Sequence, residues 1–205
     1  MEPCYVKIDN FYADPVAMRK IALEAEYHPI KQSTKHFNRN APWPGKISKK
    51  CFKPKDLDMK VSKALGKLVS STPERAGISG FFRISHASDT PGSFCHADNI
   101  TEITQINQYV GVLYLSPDEH CSGLVGTNFY RHKETSISFM KTLEDSKKLE
   151  RDFDNPSAWE LFDKTEMKFN TMVIYDACLI HGFGPMFGDS DETARLTQIF
   201  TFNEL

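Results

Sequence analysis

His96-Ala97-Asp98 holds the densest chemistry in the chain. Two residues apart on an extended strand, His96 and Asp98 point to the same side, because side chains alternate with period two. His181, far downstream, can close a three-donor face around one metal ion. Two His and one carboxylate with open positions make the ligand set suited to non-haem Fe(II). Arg195 follows 14 residues after His181, a fixed positive charge suited to an acidic co-substrate.

A His-x-Asp tripeptide alone arises readily by chance, and a lone His is usually a surface or hydrogen-bonded core residue. The setting adds weight. The pair follows the turn-rich Ser88-Asp89-Thr90-Pro91-Gly92-Ser93. His181 leaves an apolar strand and enters Gly182-Phe183-Gly184-Pro185. Strand ends beside a cavity hold ligands rigidly. In the last strand, Arg195, Thr197, Ile199 and Thr201 share one face, and Leu196, Gln198, Phe200 and Phe202 the other. Arg with Thr on one inward face makes a socket for a carboxylate, which Arg binds through two parallel hydrogen bonds. The plainer alternative is a surface Arg on a half-exposed strand.

The elements that must position these groups are mostly strands. Tyr5 to Ile8 alternates as a strand. Asp14-Pro15 opens a helix through Met18, Ala22 and Ala25, with Asp as N-cap and Pro in the first turn. Residues 31–55 read as irregular, and 56–70 as a second amphipathic helix. Strands are predicted at 80–85, 107–115, 126–130, 136–139, 171–179 and 194–202. The charged stretch 141–164 reads as an excursion, helical around 158–162. The expectation is a single domain, mainly β with flanking helices. Residues 1–75 would be helical support, and 76–205 an antiparallel double-sheet jelly roll.

Composition sets the frame. The chain has 205 residues, 40% of them hydrophobic and 25% charged, as in an ordinary globular domain. A net charge of −2 argues against nucleic acid as an obligatory partner. Five Cys without a CxxC pair read as reduced thiols. With no leader-like segment and no apolar run of membrane-spanning length, the expected location is cytoplasmic.

These motifs together resemble the Fe(II)/2-oxoglutarate-dependent oxygenases, on their prolyl-hydroxylase-like side. The likeness runs through Asn10-Phe11 with Asp14-Pro15, Ser122-Gly123-Leu124, the Phe169–Ile180 strand into His181, and Arg195-Leu196-Thr197, which is similar to the family's Arg-x-Ser motif. Gly126-Thr127-Asn128-Phe129-Tyr130-Arg131-His132 looks closest to an uncharacterised branch. The resemblance implies a double-stranded β-helix, Fe(II) on His96, Asp98 and His181, and 2-oxoglutarate on Arg195 and Thr197. It implies consumption of O2, release of succinate and CO2, and hydroxylation of a small molecule or side chain. Keeping Asp98 points away from halogenation, because halogenases of the superfamily lack the carboxylate ligand. Ser85 or His86 stands where many members carry a co-substrate Tyr, and Tyr109 is the candidate replacement. Two rivals remain: a cupin-like metal protein with non-redox activity, and a binding module without catalysis.

Further candidates have bland alternatives. Trp43, between two Pro, can cap a substrate pocket or staple its loop. Arg131 can contact substrate or sit on a surface turn. The five Lys between Lys46 and Lys55 fit a solvated loop better than a docking patch. Cys95 should point away from both neighbouring ligands, as a small buried residue rather than a zinc thiolate. His86 is expected beside the ligands or the co-substrate.

Overall fold

The computed structural model describes residues 4–29, 44–72, 79–89 and 94–205. In chain order the elements are β1 (Tyr5–Ile8), α1 (Pro15–Glu24), β2 (Tyr27–Pro29), β3 (Lys46–Ser48), α2 (Leu57–Leu65), β4 (Val69–Ser71), β5 (Phe81–Ser85) and α3 (Thr101–Thr104). Then come β6 (Gln108–Tyr114), α4 (Asp118–Cys121), β7 (Val125–His132), α5 (Leu143–Leu149), β8 (Trp159–Glu166), β9 (Thr171–Asp176), β10 (His181–Phe183) and β11 (Arg195–Glu204). The protein is mainly β, with antiparallel sheets and flanking helices.

The large sheet runs β1-β9-β6-β11-β5-β3-β2, with β4 also paired to β11. The small sheet runs β10-β7-β8. β11 is the hub. Its alternation sends Leu196, Phe200 and Phe202 into a core with Phe11, Met18, Ala22, Leu57 and Val61 beneath α1 and α2. The opposite face of the large sheet buries Val110, Val112, Tyr114, Val173 and Tyr175 against Phe129 of the small sheet. The cavity described below opens between these two layers.

Local chemistry explains where the helices stand. Asp14 Oδ1 accepts from the Ala17 amide at 2.9 Å, and Pro15 needs no amide partner in the first turn. α2 ends earlier than its apolar pattern suggested. Gly66 takes the left-handed conformation at φ 66°, and the chain leaves as β4. The N-terminal 75 residues are more than helical support, since β1 to β4 all join the large sheet. Three of these strands, β2, β3 and β4, are three residues each, too short to show a period.

Two further expectations change. Residues 159–162 lie in strand β8, after a single 3-10 turn over Pro156–Ala158, and the α-helix of this excursion is α5, capped by Thr142 and Asp145. The β7–β8 register shifts twice, and such bulges break the alternation by which a strand is recognised. Ser136 to Phe139 forms no strand, only a bridge from Phe139 to Leu179. All five Cys are free thiols. Among the described residues no helix is long and apolar enough to cross a membrane.

Candidate metal centre

His96 and His181 are joined through their backbones. Each amide donates to the other's carbonyl at 2.8 Å, an isolated antiparallel bridge. The Asp98 and Asn99 amides both donate to the Ala177 carbonyl, at 2.8 and 3.0 Å. The His96–Asn99 segment is thereby stitched to the turn that leads from β9 into His181. Period-two spacing then presents the His96 and Asp98 side chains together.

The three side chains converge. His96 Nε2 lies 3.5 Å from Asp98 Oδ1, and His181 Nε2 lies 3.4 Å from Asp98 Oδ2. One donor atom from each residue falls within a 4.8 Å set. His181 Nδ1 is 2.8 Å from the Leu179 carbonyl oxygen. A carbonyl only accepts, so Nδ1 carries the proton, and in the neutral ring Nε2 presents a lone pair to the carboxylate. Two lone pairs facing each other in a largely enclosed site call for a cation between them. Adjacent donors at metal–ligand bonds near 2.1 Å stand about 3 Å apart, close to the spacing here. The donor set therefore fits a divalent ion with open positions.

The carboxylate depends on positive charge beside it. Burial works against the Asp98 charge, but His181 and His96, when protonated and donating to it, outweigh burial and hold the carboxyl well below the usual range; with neutral rings a bound cation would take over that part. Burial, then the neighbouring His181, lowers His96 and favours the neutral ring that a metal requires.

The centre forms one wall of a cavity. β11 supplies Arg195, Thr197, Ile199 and Thr201, β6 supplies Val110 and Val112, and Phe183 and Met186 come from the chain after His181. The period-two face predicted for the last strand is thus the cavity face. Arg195 is buried, with Nη2 donating to the Gly126 carbonyl at 2.7 Å and Nη1 lying 3.2 Å from Met167 Sδ. Its guanidinium also stands over the Tyr114 ring at 5.8 Å. The Tyr114 hydroxyl is in turn held by Thr127 Oγ1 at 2.9 Å and Thr165 Oγ1 at 2.8 Å. Among the described residues no carboxylate lies within ion-pair distance of Arg195. Burial lowers its pKa, the expected penalty of an enclosed charge.

Other predicted site residues lie elsewhere. Tyr109 is not in the cavity: its hydroxyl donates to Glu204 Oε2 at 2.9 Å and accepts from Lys67 at 2.8 Å. It pairs with Phe202 across β6–β11, on the helix-covered face. Arg131 stacks on Phe162 at 5.0 Å, outside the cavity lining. Trp43 lies outside the described residues. His86 bonds Asp191 Oδ1 at 2.9 Å rather than reaching the ligands. Cys95 is fully buried in a separate cluster with Ile100, Met140 and Trp159, as a small core residue. Of the basic loop, Lys46 pairs with Asp191 and Lys49 with Glu26, which favours the solvated-loop reading.

Two cavity residues were missed. Arg83 on β5 is buried and pairs across the sheet with Thr197. Tyr175 on β9 is 3% exposed, with its ring 4.7 Å from that of His181. The signal for Arg83 was a single charge inside the apolar Phe81-Phe82-Arg83-Ile84 run.

A family model described as a family of unknown function, DUF6445, matches residues 1–197. No curated protein matches the chain.

Proposed function

We propose that this chain, which belongs to the DUF6445 family, is an Fe(II)- and 2-oxoglutarate-dependent oxygenase acting as a hydroxylase. Two facing antiparallel sheets fit a double-stranded β-helix for such an enzyme. The observation that carries the reading is Arg195. It is a buried cation without a carboxylate partner among the described residues, and it lines the same cavity as the His96–Asp98–His181 cluster. A non-redox metal site has no use for that socket, and a dicarboxylate fills it.

When bound, Fe(II) with 2-oxoglutarate would supply the oxidising chemistry, in which a C–H bond, O2 and 2-oxoglutarate become C–OH, succinate and CO2. The chain's own residues do the positioning. His96, Asp98 and His181 would hold the ion on one face, with His181 oriented by the Leu179 carbonyl. Arg195 would take the distal carboxylate in its planar fork, and the Thr197 hydroxyl stands on the same face to add a hydrogen bond. Val110, Val112, Ile199 and Phe183 keep the cavity apolar and limit water.

The test is an anaerobic titration of the protein with Fe(II) and 2-oxoglutarate. A visible metal-to-ligand charge-transfer band is expected, weakened in Arg195→Ala. Folded, metal-binding protein that shows no band would refute the reading.

A further inference from the structure

We propose that His132 and Asp152, which lie outside the cavity lining, form a positioning pair for the metal centre. They brace the segment that holds the carbonyl on which His181 is aligned. Their role is in metal binding alone and does not depend on the identity of the co-substrate.

His132 is buried at the end of β7, and both of its ring nitrogens are engaged. The Thr135 amide donates to Nδ1 at 3.3 Å, and the Thr135 hydroxyl lies 3.0 Å from the same nitrogen. A backbone amide only donates, so Nδ1 keeps its lone pair and Nε2 carries the proton. Nε2 lies 3.3 Å from Asp152 Oδ2 and donates to it. Asp152 follows α5, where its amide donates to the Leu149 carbonyl at 2.9 Å. Its own carbonyl accepts from Trp159 Nε1 at 2.7 Å, where β8 begins. Trp159 packs edge-on against the His132 ring, with centroids 5.0 Å apart. The pair thus ties the end of β7, the end of α5 and the start of β8 at one point, and closes the excursion between them.

That excursion backs the metal ligands. The His132 amide donates to the Ile137 carbonyl at 2.9 Å, and its carbonyl accepts from Ser136 at 2.8 Å. Ser136 takes φ 59°, which a residue with a Cβ holds only where its surroundings impose it. Beyond this turn the chain runs beside the residues that lead into His181. Ile180 donates to the Ser138 carbonyl and Met140 to the Cys178 carbonyl, each at 2.8 Å. Between these two bonds lies Leu179, whose carbonyl accepts from His181 Nδ1. Side chains join the same way. Cys95 and Ala97, on either side of His96, and Ile180, just before His181, share a buried cluster with Met140, Leu149 and Trp159. Two fixed bonds flanking one carbonyl leave it little freedom. Loosening the Ser138–Met140 segment passes that freedom to the His181 ring, and a ligand held loosely binds its ion less well.

Co(II) alone is the probe, titrated into the full chain without co-substrate and followed by its visible absorption. His132→Phe keeps a ring against Trp159 and removes both nitrogens. It should weaken Co(II) about 10-fold, the lower end for outer partners of a metal ligand. It should also change the Co(II) band, because His181 then meets the ion at an altered angle. Asp152→Ala should act in the same direction and covers the case in which His132→Phe does not fold. Asp152→Asn keeps an oxygen to accept from Nε2, so it should stay within about 3-fold of wild type. The two losses belong to one bond, so the double variant His132→Phe/Asp152→Ala should bind about as well as the weaker single variant. Val61→Ala opens a cavity in the core beneath α1 and α2 and lowers Tm. Its Co(II) affinity and band should match wild type, which separates positioning from lost stability. Affinity within about 2-fold of wild type in both single variants, or losses that multiply in the double variant, overturns the proposal. Wild-type protein that binds no Co(II) removes it together with the metal centre. A missing 2-oxoglutarate charge-transfer band with these Co(II) results intact removes the oxygenase reading and keeps the positioning pair.

Discussion

His181 donates from Nδ1 to the Leu179 carbonyl two residues earlier, at 2.8 Å, and so turns Nε2 toward Asp98. Outer partners of this kind alone change metal affinity by about 10- to 100-fold. Loss of the ligand itself should exceed that. A Co(II) titration followed by visible absorption is expected to show tight binding in wild type and a drop above about 100-fold in His181→Ala or Asp98→Gly. His120→Ala, on the exposed surface of α4, should bind as wild type does. Retained affinity in both ligand variants would remove the metal centre.

Arg195 supplies the next prediction. Hydrogen bonds to a charged group contribute about 1.5–3 kcal/mol, or roughly 10- to 150-fold in affinity. Arg195→Ala should weaken 2-oxoglutarate by that factor in the anaerobic titration, with Fe(II) affinity unchanged. Arg195→Lys keeps the charge but loses the planar fork, so it should recover only part of the loss. A lysine variant equal to wild type would mean that charge alone, without the fork geometry, holds the co-substrate.

The metal triad and the cavity face of β11 were legible because each follows from period-two alternation over a short distance. The same rule, carried across strands, would have excluded Tyr109. It lies on β6 between Gln108 and Val110, and its register partner Phe202 faces the helices, as Leu196 and Phe200 do. What alternation cannot reveal is the pairing itself. Arg83 reaches the cavity because β5 lies beside β11, and Tyr175 because β9 lies two strands away, beyond β6. Those long-range neighbours have no local signature. β8 stayed hidden for a different reason: its bulged register interrupts the period that marks a strand.

Tyr109→Phe follows as a separating prediction. Removing its hydroxyl breaks contacts to Lys67 and Glu204 at the rim of the large sheet. Stability should fall by about 1 kcal/mol or less, and 2-oxoglutarate affinity should stay within about 2-fold of wild type. A large loss of affinity would place Tyr109 in the co-substrate site against its observed face.

Gly126 is where a close approach is indispensable. A Cβ there would collide with the Tyr114 hydroxyl and lie 2.8 Å from Thr165 Oγ1, while the Gly126 carbonyl anchors Arg195. The neighbours are themselves hydrogen-bonded and cannot yield freely. Gly126→Ala should destabilise the fold by about 1–3 kcal/mol, lowering Tm by several degrees. It should also weaken 2-oxoglutarate binding more than metal binding, since the strain falls on the Arg195 anchor. A variant with wild-type Tm and affinity would show that this junction is softer than its packing implies.

Asp191 carries the pH prediction. Burial opposes its charge, but Lys46, at 2.6 Å, and then His86 draw the carboxyl below its usual value. A carboxyl lowered on folding stabilises the protein above its unfolded pKa of about 3.9, and that stability is lost as pH falls through the folded value. Asp191→Asn should therefore have a lower Tm than wild type at pH 7. For a pair about a third exposed, the gap corresponds to about 1 kcal/mol or less. The two curves should converge as pH drops below about 4. The measurement uses metal-free protein, so that acid release of a bound ion does not enter. A gap that persists unchanged into acid would assign the effect of Asp191 to packing rather than to its charge.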